Sequence, residues 1–402
     1  MKYCLKKDNE YDNDIDFNNI DINVLVQNKN VLFKKYYDIV IIEKKKIDVL
    51  ENNENWDKMK KIANPYELIY TTYTKKKKNY SISKYIPISR SYFKMWEILH
   101  NFELFKYFDL NDNFVFSHLA EGPGGFMEAS YNYKSQYSTS LSDKYYGITL
   151  KPITDFIPDW NKIKKIFIDK PNIKIDYGNL YNIYDIKNYI QNFNNNKANL
   201  VTADGGFDYS GDFNGQEINS CQIIYSECII ALNILKKNGC FICKVFDLFS
   251  ITMIQILYII TYCFETIEIY KPDTSRPANS EKYLICMYYK DNLTDLVKTK
   301  LLNIIEKWEK ISSEINSSQS VVMTDIKINN LLIQKLNEYN NKYINIQMFY
   351  LNKIITLTQT KLDKDKYYEI IQEQVNNAIN WCNKYKIEIN TNSIYYIKNI
   401  SS

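Results

Sequence analysis

The stretch FVFSHLAEGPGGF (114–126) decides how this chain is read. The run FVFSHLA has the length and apolar content of a buried strand, and it breaks at once into glycines and a proline, the composition of a tight turn. Glycine lets backbone approach a ligand closely where a strand turns into a helix. All ten glycines lie between Gly122 and Gly239, so the special backbone conformations gather in one part of the chain.

Outward from that turn, apolar runs alternate with helical patterns. YYGITL, IKIDY, NLVTAD, CFICKVF and FETIEIY read as further strands, and EKYLICMYY (281–289) as a seventh. Helical spacing is clearest over 215–237 and 250–262. Such alternation predicts an α/β fold with a parallel sheet covered by helices on both faces. Ligands in such sheets bind outside the carboxyl ends of the strands. The glycine turn and TADGG (202–206) each follow a strand directly, so both belong at that edge. Ahead of this region a helix runs from Ser89 to Phe108, with Arg90 and Lys94 on one face. The expected division is a small or loosely attached N-terminal region over 1–61, the α/β domain over 62–290, and a helical C-terminal extension over 291–402. That extension has neither Gly nor Pro. Leu293, Leu296, Val297, Leu301, Ile304, Ile305 and Trp308 repeat at helical spacing, and two more helices are expected near 328–361 and 365–385. Their apolar stripes read as packing surface.

Composition sets outer bounds. A chain of 402 residues, 45% hydrophobic and 24% charged, is globular, and its net charge of +4 neither demands nor excludes nucleic acid. Lysine, asparagine, isoleucine and 36 tyrosines dominate, which discounts single basic runs such as Lys75–Lys78, flanked by Tyr73 and Tyr80, as RNA-contact signals. The eight cysteines have no disulfide-framework spacing, and Cys240 and Cys243 lie within a strand, facing opposite ways, so no metal site is expected. His100 and His118 sit in apolar contexts and read as packing residues. The polar, acidic N-terminus gives no leader signal, and the apolar stretch 251–264 reads as a buried helix rather than a membrane span.

Four segments carry candidate chemistry: RSYFK (90–94), TADGG, FICKVFD (241–247) and RPANSEKY (276–283). A dinucleotide fingerprint requires GxGxxG with an acid about 20 residues on, and GPGG does not supply it. A methionine-type adenosine cofactor without phosphates fits that turn better. Asp204 would sit at the ligand edge near a cationic sulfonium. Lys244 lies inside a very apolar strand, where lysine is costly unless paired or functional. Burial and nearby cations would lower its pKa while Asp204 and Glu281 would raise it. A partly neutral lysine there could take a proton from a ribose hydroxyl. Arg90 and Arg276, the two arginines of the chain, lie beside Lys94 and Glu281, and their planar forks suit phosphates or carboxylates.

NPYELIY, RSYFKMWE, EGPGGFMEA, YGITLK, TADGGFD, GCFICKVFDLF and KPDTSRPANSEKYLIC together resemble the FtsJ-like ribose 2′-O-methyltransferases, above all the cap-specific mRNA enzymes of eukaryotes and large DNA viruses. The resemblance covers about 62–290. It implies a Rossmann-like, seven-stranded mixed sheet whose last strand is antiparallel. It implies a catalytic tetrad of Lys94, Asp204, Lys244 and Glu281, and S-adenosyl-L-methionine as cofactor. The cofactor would be held at Glu121, Gly122, Pro123, Gly124, Gly125, Phe126, Asn179 and Asp204. Asn179 stands where the family often has an acid. The substrate would be RNA, capped mRNA above all, held through Arg90, Arg276, Asn279 and Ser280. The extension would dock a protein partner or lengthen the RNA groove. The expected compartment is the cytoplasm, or a viral factory or virion, with the nucleus open. Rival expectations are a methyltransferase for ribosomal or transfer RNA and a weakly active RNA-binding or assembly subunit. A nicotinamide dehydrogenase fails on the glycine spacing.

Overall fold

The computed structural model describes all residues except 9, 12–16, 18–19, 49, 51–54, 72–79, 109–112, 138–141, 153–158, 168–171, 207–214, 313, 317–318, 361 and 401–402. The Lys75–Lys78 run therefore lies outside the described residues.

In chain order the elements are β1 (Lys2–Lys6), β2 (Val24–Asn28), α1 (Lys34–Asp48), α2 (Trp56–Ile62), α3 (Ser91–Phe102), β3 (Val115–Leu119), α4 (Gly125–Ser135) and β4 (Lys144–Thr149). There follow α5 (Asn161–Ile166), β5 (Ile173–Tyr177), α6 (Ile183–Gln191), β6 (Ala198–Ala203), α7 (Gln216–Ile234), β7 (Leu235–Val245), α8 (Ile251–Cys263), β8 (Phe264–Tyr270) and β9 (Lys282–Tyr289). The remainder is α9 (Asp295–Ser312), β10 (Gln319–Met323), α10 (Asn330–Gln359), α11 (Lys364–Lys384) and α12 (Ile394–Ile400). Each of the seven apolar runs forms a strand. The helical patterns at 215–237, 250–262, 328–361 and 365–385 form α7, α8, α10 and α11.

One sheet of eight strands runs in the order β1-β8-β9-β7-β6-β3-β4-β5. The five strands β5, β4, β3, β6 and β7 are parallel. β3 and β6 are buried at every residue, which is what a parallel strand covered on both faces requires. The chain leaves β3 toward β4 and β5 but returns to β6 and β7 on the other side. The strand order thus reverses between β3 and β6, where such sheets place their ligands. β9 runs antiparallel to both β7 and β8, as expected.

Two expectations change. The sheet has eight strands rather than seven, because β1 pairs antiparallel with β8 and covers that edge. Of the two alternatives for the N-terminal region, small or loosely attached, the second does not hold, for the same reason. Leu5 is fully buried, and Lys6 Nζ donates to the Thr261 carbonyl at 2.6 Å inside the core. The extension is equally bound in. β10 pairs antiparallel with β2, and residues of both chain ends share hydrophobic clusters with the sheet. Both ends pack against the α/β body because their apolar stripes have no other core to join.

Replacing Leu5 by alanine removes a fully buried side chain from that edge. We expect a loss of about 2–5 kcal/mol in urea unfolding; a loss under about 1 kcal/mol would mean that β1 is a peripheral addition.

Candidate active site

The glycine turn comes first. Gly124 adopts φ +110°, and a Cβ on it would fall 2.8 Å from the Ile163 Cβ. A Cβ on Gly125 would fall 2.2 Å from Ser91 Oγ, so this glycine lets the start of α3 press against the turn. Glu121 accepts from the backbone N–H of Phe126 and, at 3.2 Å, from that of Met127. It therefore caps the first turn of α4, where a helix leaves its N–H groups unpaired. Burial pushes its carboxyl well up, with these N–H groups opposing. This revises the expectation for two residues. Glu121 is buried and already occupied, and Phe126 is fully buried with its N–H taken and its ring toward Tyr283. Both shape the turn rather than offer a free contact.

The strand order brings the four tetrad residues together. Asp204 follows β6, with its N–H on the Leu119 carbonyl at 3.2 Å, so it sits beside the end of β3. Lys244 lies near the end of β7, in register with Tyr283 of β9. Because β9 is antiparallel, its first residues lie at the same edge, and Glu281 arrives there. Lys94 comes from α3. Lys94 Nζ stands 2.7 Å from Glu281 Oε1. Lys244 Nζ stands 3.2 Å from Asp204 Oδ1 and donates to the Asp204 carbonyl at 2.7 Å. The four side chains are 11–16% exposed, so they line the floor of an opening rather than a sealed core.

The electrostatics follow from burial and charge. Burial opposes ionisation of Glu281, but Lys94, Lys244 and Lys271 outweigh it and hold the carboxyl down to about 2. Burial lowers the Lys244 pKa, yet Asp204 and Glu281 outweigh it, and the net direction is upward. The opposition foreseen for Lys244 is thus settled in favour of the carboxylates.

Several residues at the site were not singled out from the sequence. Tyr283 donates to Asp204 Oδ1 at 3.1 Å, and Ser275 Oγ to Glu281 Oε1 at 2.9 Å. Glu227 of α7 accepts the Gly205 N–H at 3.0 Å, beneath the TADGG turn. Lys271 Nζ donates to the Glu281 carbonyl at 2.6 Å, to the Asn279 carbonyl at 2.8 Å and to the Asn279 side chain. Burial pulls the Lys271 ammonium well down in pKa, with Glu281 opposing. The KPDTSRPANSE string held the signal for Lys271 and Ser275, since their partners lie ten residues or fewer away.

The remaining predicted residues are placed as follows. Arg90 and Arg276 converge on Glu67 of NPYELIY, at 3.2 and 3.3 Å. Arg90 also donates to the Tyr70 and Tyr66 carbonyls, while the Arg276 side chain is 40% exposed. Ser280 is buried and donates to Gln216 at 2.8 Å, so it holds the loop rather than facing a substrate. Asn279 is exposed, but its side chain serves Lys271. Asn179 closes a turn by accepting from the Tyr181 N–H at 3.0 Å. Asp185 of α6 lies beside it, its Oδ2 accepting the Asn179 N–H at 2.8 Å. His118 is buried 2.8 Å from Thr202 Oγ1, and His100 packs among Trp96, Tyr133 and Tyr385.

A carboxyl with a depressed folded pKa stabilises above its ordinary pKa and loses that contribution as pH falls through the folded value. For Glu281 the window runs from about 4.5 down to about 2. In a series of urea titrations across it, Glu281→Gln should lose less stability than the wild type. Parallel losses in both proteins would show that the Lys94–Glu281 pair is energetically idle.

Comparison with known proteins places this geometry. A model of the FtsJ-like methyltransferase family matches residues 87–289. The cap-specific mRNA (nucleoside-2′-O-)-methyltransferase 1 of Drosophila melanogaster is 32% identical over 64% of this chain and 33% of its own length. The human protein of that name is 30% identical over 64% of this chain and 31% of its own. A Caenorhabditis briggsae protein named as an inactive cap-specific mRNA methyltransferase 1B is 27% identical over 65% of this chain and 33% of its own. The chain thus spans about a third of the length of the curated relatives it matches. With the strand order, the glycine turn and a family match over half its length, the chain belongs to the FtsJ-like methyltransferases.

Proposed function

We propose that this protein is an S-adenosyl-L-methionine-dependent RNA ribose 2′-O-methyltransferase acting on capped mRNA 5′ ends. The observation that carries the reading is the assembled pair of ion pairs, Lys94–Glu281 and Lys244–Asp204, at the carboxyl edge of the sheet. Family membership alone does not supply catalysis, since one relative is named as inactive. The relatives named for capped mRNA support the substrate class.

The crevice fits the cofactor. Gly124 and Gly125 let the turn pack tightly against Ile163 and Ser91, and Asp204 presents a partly exposed carboxylate beside it that a sulfonium could use. When bound, S-adenosyl-L-methionine supplies an electrophilic methyl group. Gly122, Gly124, Gly125, Asp204 and the Asn179–Asp185 turn would hold it. Lys244 would receive the ribose 2′-hydroxyl proton, and Glu281 with Lys94 would orient that ribose. Much of the acceleration in such a site comes from fixing the acceptor oxygen in line. On the acceptor side, one carboxylate meets two guanidiniums, so the Glu67 cluster keeps an excess positive charge. The exposed fork of Arg276 suits an RNA phosphate. Arg90, deeper and bonded to two carbonyls, secures the wall.

The test is methyl transfer from labelled cofactor to matched short RNAs, capped and uncapped. Labelling of capped RNA at a ribose 2′-oxygen, reduced by at least about 100-fold in Lys244→Ala, is the expected result. Equal labelling of uncapped RNA would move the substrate to structured RNA. No transfer by a folded wild-type protein would favour the assembly-subunit reading. The raised Lys244 pKa also fixes a pH dependence. Only a small fraction of Lys244 is neutral at pH 7, and that fraction grows tenfold per pH unit. Single-turnover rates should climb steeply from pH 7 to 9, and a flat profile would remove Lys244 as the base.

A further inference from the structure

Glu97 lies three residues after Lys94 on α3 and is completely buried. Its carboxylate has five donors. Oε1 accepts from Tyr270 Oη and, at 2.8 Å, from the Asp273 N–H. Oε2 accepts from the Thr274 N–H and hydroxyl, both at 3.2 Å, and from Trp381 Nε1 of α11 at 3.1 Å. None of the five is an ammonium or guanidinium. Burial and the nearby Asp273 push the carboxyl up, while the hydrogen bonds from Tyr270, Asp273 and Trp381 pull it back.

Burying a carboxylate with no cation among its hydrogen-bond donors is expensive, and here the donors are Tyr270 of β8, the backbone and Thr274 hydroxyl of an irregular turn, and one helix of the extension. Residues 273–275 belong to no strand or helix. The N–H groups of Asp273 and Thr274 donate to Glu97 and would be left unpaired without it, whereas the Ser275 N–H donates to the Pro272 carbonyl at 3.1 Å. The next residue after that turn, Ser275, donates to Glu281 Oε1 at 2.9 Å, and Glu281 pairs with Lys94 on the same helix as Glu97. The contacts therefore form a closed ring: Glu97, the 273–274 turn, Ser275, Glu281, Lys94 and back along α3.

We propose that Glu97 is a positioning residue of the methyl-transfer reaction, closing this ring so that Glu281 is held at Lys94, with Trp381 tying α11 into it. The inference rests on the tetrad reading above. It gives the extension a duty within its own chain: α11 helps to set the acceptor-side loop. α10 acts on the same loop from its other end. Tyr343 Oη donates to the Asn279 carbonyl at 3.1 Å and Gln347 Nε2 to the Ala278 carbonyl at 3.4 Å.

The test uses the full chain with Glu97→Gln, which keeps the shape but puts a donor among donors, and Trp381→Phe, which removes one N–H and keeps the ring. On capped RNA, kcat should fall by about tenfold or more in Glu97→Gln and by a smaller factor in Trp381→Phe. Cofactor affinity by calorimetry should stay within about twofold, because the glycine turn and Asp204 lie on other strands. A carboxyl-carbon NMR titration supplies a readout independent of activity. Glu281 should move up from about 2 toward its ordinary range in Glu97→Gln. Wild-type kcat in both variants, or an unmoved Glu281 titration, would overturn the proposal. So would losses of rate and cofactor affinity that merely track a fall in melting temperature. An inactive wild type would count against the function proposed above, while the Glu281 titration would still decide the role of Glu97.

Discussion

The antiparallel pairing of β9 with β7 is the constraint on which the site depends. Five parallel strands deliver their carboxyl ends to one edge, and with them Asp204 and Lys244. A further parallel strand would deliver only its last residues there. By running the other way, β9 brings its first residues to that edge, so the loop 271–281 empties Glu281 directly beside Lys244. Placing a carboxylate and an ammonium from distant segments within one low-dielectric crevice then requires no bending of either strand.

The crevice tolerates so many charges because few of them lack an opposite. Glu281 and Asp204 answer Lys94 and Lys244 on the open side. Behind them lies a second group. Lys282 is buried with Nζ 3.7 Å from Asp247 and 4.4 Å from the Tyr343 ring, and Lys44 of α1 stands 3.7 Å from the same aspartate. Burial lowers Lys282 to about 8, with Asp247 opposing. Attraction between buried charges must offset their lost hydration, so one carboxylate with two lysines at this spacing is a modest stabiliser. Its structural result is larger. It joins β9, α1 and α10, and so links both chain ends to the wall behind the tetrad.

Much of this was legible in sequence because it is local. A buried strand needs an unbroken apolar run, and a turn with positive φ needs glycine, so the seven strands and Gly124 were readable. Lys94, Asp204, Lys244 and Glu281 could be singled out because each sits in its own motif. What escaped was tertiary. β1 and β10 are five residues each, too short for alternation to stand out. Nothing near Arg90 or Arg276 announces that both will meet Glu67, which is 209 residues from Arg276. Asp185 reaches the Asn179 N–H only once α6 turns back on the strand end. Glu97 sat unremarked in RSYFKMWE, since its five donors come from residues 173 to 284 positions away.

The edge strand β1 has a consequence for biosynthesis. Lys2 pairs with Tyr270, and the hairpin-like pairing of Val24 waits for Met323. β1 is therefore synthesised well ahead of β8, the strand it pairs with. At about 5–20 residues per second, it spends some tens of seconds without a partner. Through that interval an unpaired strand and its apolar Leu5 are open to wrong partners. Vectorial synthesis thus favours a sheet in which β1 joins its edge only after β8 has been made.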